Sequence, residues 1–351
     1  MIIGIDPHKS SHTANALDQT TNTAASSLRI DATLAGYRQL LRWGRTFPER
    51  RWAIENARGL GCHLAQWLIG RGETVVDVRT TATARVRELS RGGRRKNDVL
   101  DASAAACVAA FQGDASPVAA EDQTTVFALL EERRANVAAQ RVRLVNQLHA
   151  LLRDLVPGGA GAALTAQAAS ALLRSVRPAS AAERMRKELA RELVQEIRTV
   201  DARLVGVARR MATALIAHGT RLLQVQGVGP VLAARLLGRT GPASRFRSPA
   251  AFASYAGVAP IEVASGDHAR HRLSRSGDRQ LNSALHLVAV TQVRMRSSTG
   301  RGYYDRKIGE GKTHNEAMRC LKRRIADHVW RVMRADEVLR DLGKERRPIA
   351  A

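Results

Sequence analysis

A chain of 351 residues, 44% of them hydrophobic, is long enough to fold two or three domains with real cores. Its 56 Lys and Arg against 32 Asp and Glu leave a net charge of +24, which points to a polyanionic partner, and nucleic acid is the commonest of these. There is no run of 18 apolar residues and no charged leader before an apolar stretch, so the sequence is expected to stay in the cytoplasm, off the membrane. Arg outnumbers Lys 49 to 7, a bias that a genome rich in G and C produces by itself. The net charge survives that explanation, because codon bias does not remove acids. Cys62, Cys107 and Cys320 are too few and too scattered for a disulfide framework or a cysteine zinc site.

In chain order, Ile2 to Asp6 is an apolar strand that delivers a carboxylate to its end, followed by strand-like segments at Thr13 to Leu17 and Ser27 to Ile30. Leu34 to Trp43 has helical spacing. Arg51 to Glu55 reads as a strand ending in a second acid, Gly61 to Ile69 as a helix and Thr74 to Val78 as a strand. Arg85 to Lys96, rich in Arg with two glycines, reads as a mobile basic loop. Asp98 to Phe111 is a helix opened by Asn97. Three hairpin strands followed by alternating units make an α/β domain with a mixed sheet, assigned to residues 1–113.

From Gln123 to Leu155 there is no Gly or Pro, and Leu130, Val137, Leu144 and Leu151 recur every seven residues. Arg134 and Arg141 interrupt the adjacent seam, so a long helix with a partner is implied rather than a dry zipper. A second long helix is expected from Ala181 to His218, with Leu189, Leu193, Ile197, Val200 and Leu204 on one face. The two pair as an antiparallel arm, residues 114–218, either within one chain or across two. The remainder, 219–351, holds 25 basic against 11 acidic residues and should grip most of the anion.

Asp6 and Glu55 each end a strand, and Asp98 and Asp101 lie three apart in the first turn of a helix, so all four acids suit one edge of the sheet. An acid near a helix N-terminus is also favoured by the helix dipole, so Asp98 alone carries little weight. Carboxylates crowded together need a neutralising charge, and hard oxygens suit Mg²⁺ or Mn²⁺. Two such ions serve phosphoryl transfer. Farther on, Gln224-Val-Gln-Gly-Val-Gly-Pro230 places Gly227 and Gly229 between two helices, where backbone amides suit a DNA phosphate, as in a helix-hairpin-helix motif. Arg272, Arg275 and Arg279 open a further helix close to Ser265-Gly266.

The acidic quartet after three hairpin strands resembles nuclease domains of the RuvC and ribonuclease H type. Read with Gly257-Val-Ala-Pro260, Ser265-Gly266 and the Arg272 to Leu285 block, nearly the whole chain is similar to the transposases of the insertion-sequence one-ten family, the bridge-RNA-guided recombinases. The resemblance implies a RuvC-like catalytic domain, a helical coiled-coil arm and a mainly α C-terminal transposase domain. It also implies a metal-bound quartet of Asp6, Glu55, Asp98 and Asp101, and a serine nucleophile that falls on Ser265. DNA as target and donor, a structured guide RNA, and a homodimer or homotetramer are its implied partners. Glu262 and Asp267-His268 flank Ser265 where many relatives carry other residues. By itself a serine beside glycine reads as a loop residue, and a free hydroxyl needs a base or metal to become a nucleophile. His268 and His271 are nearby, but metal from the acidic site is the activator the resemblance favours. Two other readings stay open on the residues alone: a metal-only structure-selective nuclease in which Ser265 binds phosphate, and a catalytically silent nucleic-acid-binding protein.

Overall fold

In the computed structural model, residues 1–89, 97–113, 115–265, 268–272 and 277–345 are described, and they fall into two compact units, Met1–Glu121 and Asp122–Ala351. The first is built on a six-stranded mixed sheet. Strands β1 (Ile2–Pro7), β2 (Ser11–Leu17) and β3 (Ala24–Asp31) pair antiparallel in sequence. Helix α1 (Leu34–Gly44) leads to β4 (Arg51–Glu55), which lies parallel to β1 on its other side. Helix α2 (Cys62–Ile69) returns the chain to β5 (Val75–Val78), parallel to β4. Helices α3 (Thr80–Leu89) and α4 (Asp98–Cys107) follow, then a single π turn and a short β6 (Ser116–Pro117) at the edge. The spatial order is β3-β2-β1-β4-β5-β6, so β1 is central.

That position explains why β1 is an unbroken apolar run rather than an alternating one: both of its faces are covered. Ile3 and Ile5 face a core with Trp52, Ile54, Leu40, Leu64 and Leu68, under α1 and α2. Ile2 faces the other core, with Ala53, Val76, Val78, Ala105 and Ala106. On this second face α4 lies almost on the backbone of β1. A Cβ added to Gly4 would drive into the Ala102 carbonyl and come within 2.7 Å of the Ala106 amide. Only glycine in the strand and alanine on the helix allow so close an approach.

The described elements of the second unit are helical apart from one hairpin. Helix α5 (Gln123–Leu155) packs on α7 (Ala181–His218) within the same chain, with the short α6 (Ala166–Ser175) between them. Arg186 meets Asp154 at 3.5 Å, Arg141 meets Asp201 at 2.5 Å and Phe127 stacks edge-on to His218, so the pair runs antiparallel. Arg141 lies in the seam because it has this partner. The buried stripe of α7 is Ala190, Val194, Ile197, Val200, Val207, Met211 and Leu215. The expected face is therefore corrected at its start: Leu189 is 42% exposed and Ala190 takes its place, since a small residue lets the helices approach.

Beyond α7 come α8 (Pro230–Thr240), α9 (Pro249–Tyr255), the hairpin β7 (Ile261–Ser265) and β8 (His268–Arg272), and helices α10 (Arg279–Arg294), α11 (Thr299–Gly309) and α12 (His314–Glu345). Gly238 of α8 crosses α5 at Ala128 with no room for a side chain. Buried Asp336 of α12 accepts from the Thr220 hydroxyl at 3.0 Å and from the Arg221 amide and guanidinium at 2.9 and 2.6 Å, fastening the last helix to the end of α7. Helices α3, α6, α9, α11 and α12, the short β6 and the β7–β8 hairpin go beyond the expected elements. Arg85 and Arg87 belong to α3, while residues 90–96 of the expected basic loop lie outside the described residues. No described helix is long and apolar enough to cross a membrane.

Candidate active site

The parallel register Ile5↔Ile54 brings the next residues of β1 and β4, Asp6 and Glu55, level at the carboxyl edge of the sheet. Because α4 lies flat on β1, its first turn carries Asp98 and Asp101 to the same edge, with the Asn97 side chain capping the Val99 amide at 3.0 Å. Asp101, Glu55 and Asp98 all act on Asp6 there. Burial pushes the Asp6 carboxyl up to about 6, opposed by His8 and reinforced by the negative charges of Asp101, Glu55 and Asp98.

Three basic side chains that sequence reading did not single out complete the cluster. His8, two residues past Asp6, places Nδ1 at 3.7 Å from Asp6 and Nε2 at 3.9 Å from Asp98. Arg29 of β3 donates to Asp98 at 3.2 Å, and Arg87 of α3 donates to Asp101 at 2.6 Å. Asp77 of β5 was also missed. Its carboxylate accepts from the Ala57 amide at 2.7 Å and so holds the turn after Glu55, where Asn56 adopts a left-handed φ of 50°. Only the Asp-x-His spacing was visible in the sequence; the other partners come together across strands.

The donors present fit a divalent cation. Asp6, His8 and Asp98 offer ligand atoms within 4.8 Å of one another, and the buried Nδ1 of His8 has no hydrogen-bond partner. Asp6 is held partly protonated near neutral pH by burial and like charge, which a cation would reverse. Asp101 is in a different state, since its carboxylate is 5% exposed and already paired with Arg87.

The remaining expected residues lie in the second unit. Ser265 ends β7, with its backbone opposite His268; this corrects the reading of a loop position. Arg272 ends β8 opposite Ile261. Arg275 lies outside the described residues. Gly227 has φ of +83° and packs on Val288 and Thr291 of α10, and Gly229 is the N-cap of α8 with Pro230 at its first turn. Arg279, exposed, opens α10 beside Asp278, which Arg239 holds at 2.5 Å. Arg279 and Thr291 are twelve residues apart on one helix, about 18 Å, so the Gly-x-Gly turn and Arg279 do not form one patch.

Residues 3–157 match a family model for DEDD-type transposases of IS110 elements, and residues 219–305 match the model of the IS116/IS110/IS902 transposase family. The chain belongs to the IS110/IS116/IS902 family of transposases. It is 29% identical to an uncharacterized protein of insertion element IS116 from Streptomyces clavuligerus, over 95% of this chain and 94% of that one. An uncharacterized protein of IS900 from Mycobacterium paratuberculosis is 36% identical over 33% of this chain and 30% of its own. Among solved structures, RuvC of T. thermophilus in complex with a Holliday junction substrate is similar over 33% of this chain and 98% of that chain, at 14% identity and a TM-score of 0.27. As a transposase of this family, the protein cuts and transfers DNA.

Proposed function

We propose that this transposase cleaves and rejoins DNA strands with a composite centre: a divalent cation, Mg²⁺ or Mn²⁺, held by Asp6, Glu55, Asp98 and Asp101, and Ser265 as the nucleophile. The observation that carries the reading is the convergence of four carboxylates from β1, β4 and α4 on one sheet edge. A bound cation would supply charge for the reacting phosphate and lower the cost of deprotonating a hydroxyl. Around it the chain's own residues divide the work. Asp6 and Asp98 offer the nearest oxygens, His8 bridges them, and Asp101 becomes available when Arg87 turns from it toward an incoming phosphate. The Ser265 hydroxyl oxygen attacks phosphorus and gives its proton to solvent or a neighbouring base; the P–O bond to the departing strand breaks, that strand leaves as a hydroxyl with a proton from solvent, and the phosphate stays ester-linked to the serine. Because the link conserves the phosphodiester's energy, a strand's terminal hydroxyl can displace the serine and rejoin the DNA without a free double-strand break.

In this reading the chain works as three parts, residues 1–113, 114–218 and 219–351. The coiled-coil-like arm of α5 and α7 joins protomers as a homodimer or homotetramer. The turn at Gly227 and Gly229, as a helix-hairpin-helix, and Arg272, Arg275 and Arg279 contact nucleic acid. A structured RNA, gripped by the +24 charge, selects target and donor.

The test is a covalent trap. Wild-type reactions in Mg²⁺, denatured in detergent, should contain a protein-DNA adduct that maps to Ser265 and vanishes in Ser265→Ala. Asp101→Ala should lose cleavage by roughly 10²-fold or more while still binding DNA. A Ser265→Ala protein that recombines near the wild-type rate overturns the serine assignment, and a metal-dependent nick without an adduct points to water as the nucleophile.

A further inference from the structure

We propose that a cavity within the second unit, between the Val258–Pro260 segment and helices α11 and α12, receives one unstacked nucleotide of a DNA strand, the base against an apolar wall and the phosphate among cations. The cavity encloses about 460 Å³, within the range of sites that take small organic ligands and more than a lone phosphate needs.

One wall is apolar and fixed. Val258, Ala259 and Pro260 line it, and the amides of Val258 and Ala259 both donate to the Ala253 carbonyl, at 2.9 and 3.2 Å. The Asn282 amide of α10 holds the Ala256 and Gly257 carbonyls at 3.2 and 2.8 Å, and the Lys322 ammonium of α12 donates to the Asn282 oxygen at 2.6 Å. Three elements thus fasten the wall before any ligand arrives, which keeps the ordering cost of binding low.

The opposite side is cationic. Lys312, Arg319, Lys322 and Arg323 line the cavity, Arg323 also paired with Asp327 at 3.1 Å, and Glu316 is the one carboxylate among the described lining residues. Glu316 is engaged elsewhere: it accepts from the Thr313 amide and hydroxyl at 2.9 and 2.7 Å, closing a capping box at the start of α12. Lys322 is 9% exposed, and burial lowers the proton affinity of its ammonium, so an anion beside it is favoured. Tyr303 has Arg324, Arg306 and Lys307, which lie outside the lining, around its ring at 4.8, 5.0 and 5.6 Å, the last two also paired with Glu310.

An enclosed apolar wall facing cations matches a base and its phosphate better than an acidic peptide, which would leave the wall unused. Among the described residues, the lining contains no Ser, Thr, Asn or Gln side chain to read a base edge. Its cations are taken up by phosphate in this reading and Glu316 by Thr313, so contact with the base face outweighs hydrogen-bond readout, as in single-strand grooves. The inference rests on the function proposed above, because the wall runs directly into β7, whose last residue is Ser265. A nucleotide held there keeps a strand splayed at the foot of that hairpin.

Cys320 lines the cavity and is partly exposed, so it reports on occupancy in the unmodified protein. The rate of its alkylation by N-ethylmaleimide is read by peptide mass spectrometry, with Cys62 and Cys107 as references in the same sample. Single-stranded DNA at nine times its Kd should slow Cys320 about tenfold. Millimolar dAMP should slow it in part, inorganic phosphate should leave it unchanged, and Lys312→Ala with Arg319→Ala should remove the dAMP effect. The proposal is overturned if a strand shown by anisotropy to be bound leaves Cys320 unprotected, or if phosphate protects as well as dAMP. Protection by dAMP but not by the strand overturns it too, as a free-nucleotide site, and so does a Cys320 that no reagent reaches in the free protein. Ser265→Ala should show the wild-type protection, so a failed adduct assay and a failed footprint are separate results.

Discussion

Arg87 sits where an ion-binding carboxylate would need its charge answered. With Asp101 5% exposed, removing Arg87 leaves a buried carboxylate without its partner, at a cost of about 2–3 kcal/mol in the absence of metal. Arg87→Ala should therefore melt several degrees lower in EDTA and gain more from Mn²⁺ than the wild type does, as scanning calorimetry would read. Equal metal-induced shifts in the two proteins would remove Arg87 as a stand-in for the ion. A titrating group belongs to the second unit. Burial first, and then the Arg340 charge, pull His218 down to about 4, against Asp336, Asp122 and Glu337. Its folded value lies below the ordinary one of 6.5, so the unfolded chain binds the proton more readily. The stabilisation is complete above pH 6.5 and is lost as pH falls from there toward 4. His218→Gln should flatten this part of the stability profile by about 1–2 kcal/mol, measured by denaturant melts at pH 7 and 4.5.

At the scale of elements, β1 and α4 are one device, because the helix sets two of the acids and the strand a third. Gly4→Ala must push α4 off the Ala102 carbonyl, costing about 1–3 kcal/mol and displacing Asp98 and Asp101 from Asp6. DNA cleavage should fall roughly 10²-fold, as an ångström of misplacement commonly costs, with DNA binding retained. Cleavage near the wild-type rate would mean that the acids are not positioned by this contact. The strands and their terminal acids were legible in the sequence because an apolar run that stops at a carboxylate is a local pattern. So were the bounds of α5 and α7, whose long stretches lack Gly and Pro. The face of α7 was misjudged at Leu189 because hydrophobicity favours the larger residue, whereas the close packing of two long helices buries Ala190. Helix α3 is polar and basic over much of its length, and α6 buries Ala166, Ala169 and Leu173 at helical spacing, a stripe of mostly small residues that hydrophobicity alone does not mark. His8, Arg29, Arg87 and Asp77 could not be assigned as partners of the acids or the turn, since three of them arrive from other strands or helices and His8 is a neighbour only through the bend after β1.

For the whole molecule, the excess of 24 positive charges predicts how it associates more than how it folds. Binding to duplex DNA should weaken with salt at a slope of about −0.9 per phosphate contacted. Fluorescence anisotropy between low and physiological salt would measure that slope. A flat response would separate the surface charge from nucleic-acid binding altogether.

The antiparallel pair of α5 and α7 has a mechanical side. At 38 residues, α7 is about 57 Å long, and it is braced along its length by α5 from the Phe127–His218 contact to the Asp154–Arg186 pair. Such a strut behaves as a lever. A tilt of about 5° pivoting at the His218 end, where Asp336 fastens the last helix, swings the far tip by about 5 Å, close to one helical turn. Repacking too slight to disturb any one side chain near the pivot thereby becomes a displacement large enough to engage or release whatever the tip touches.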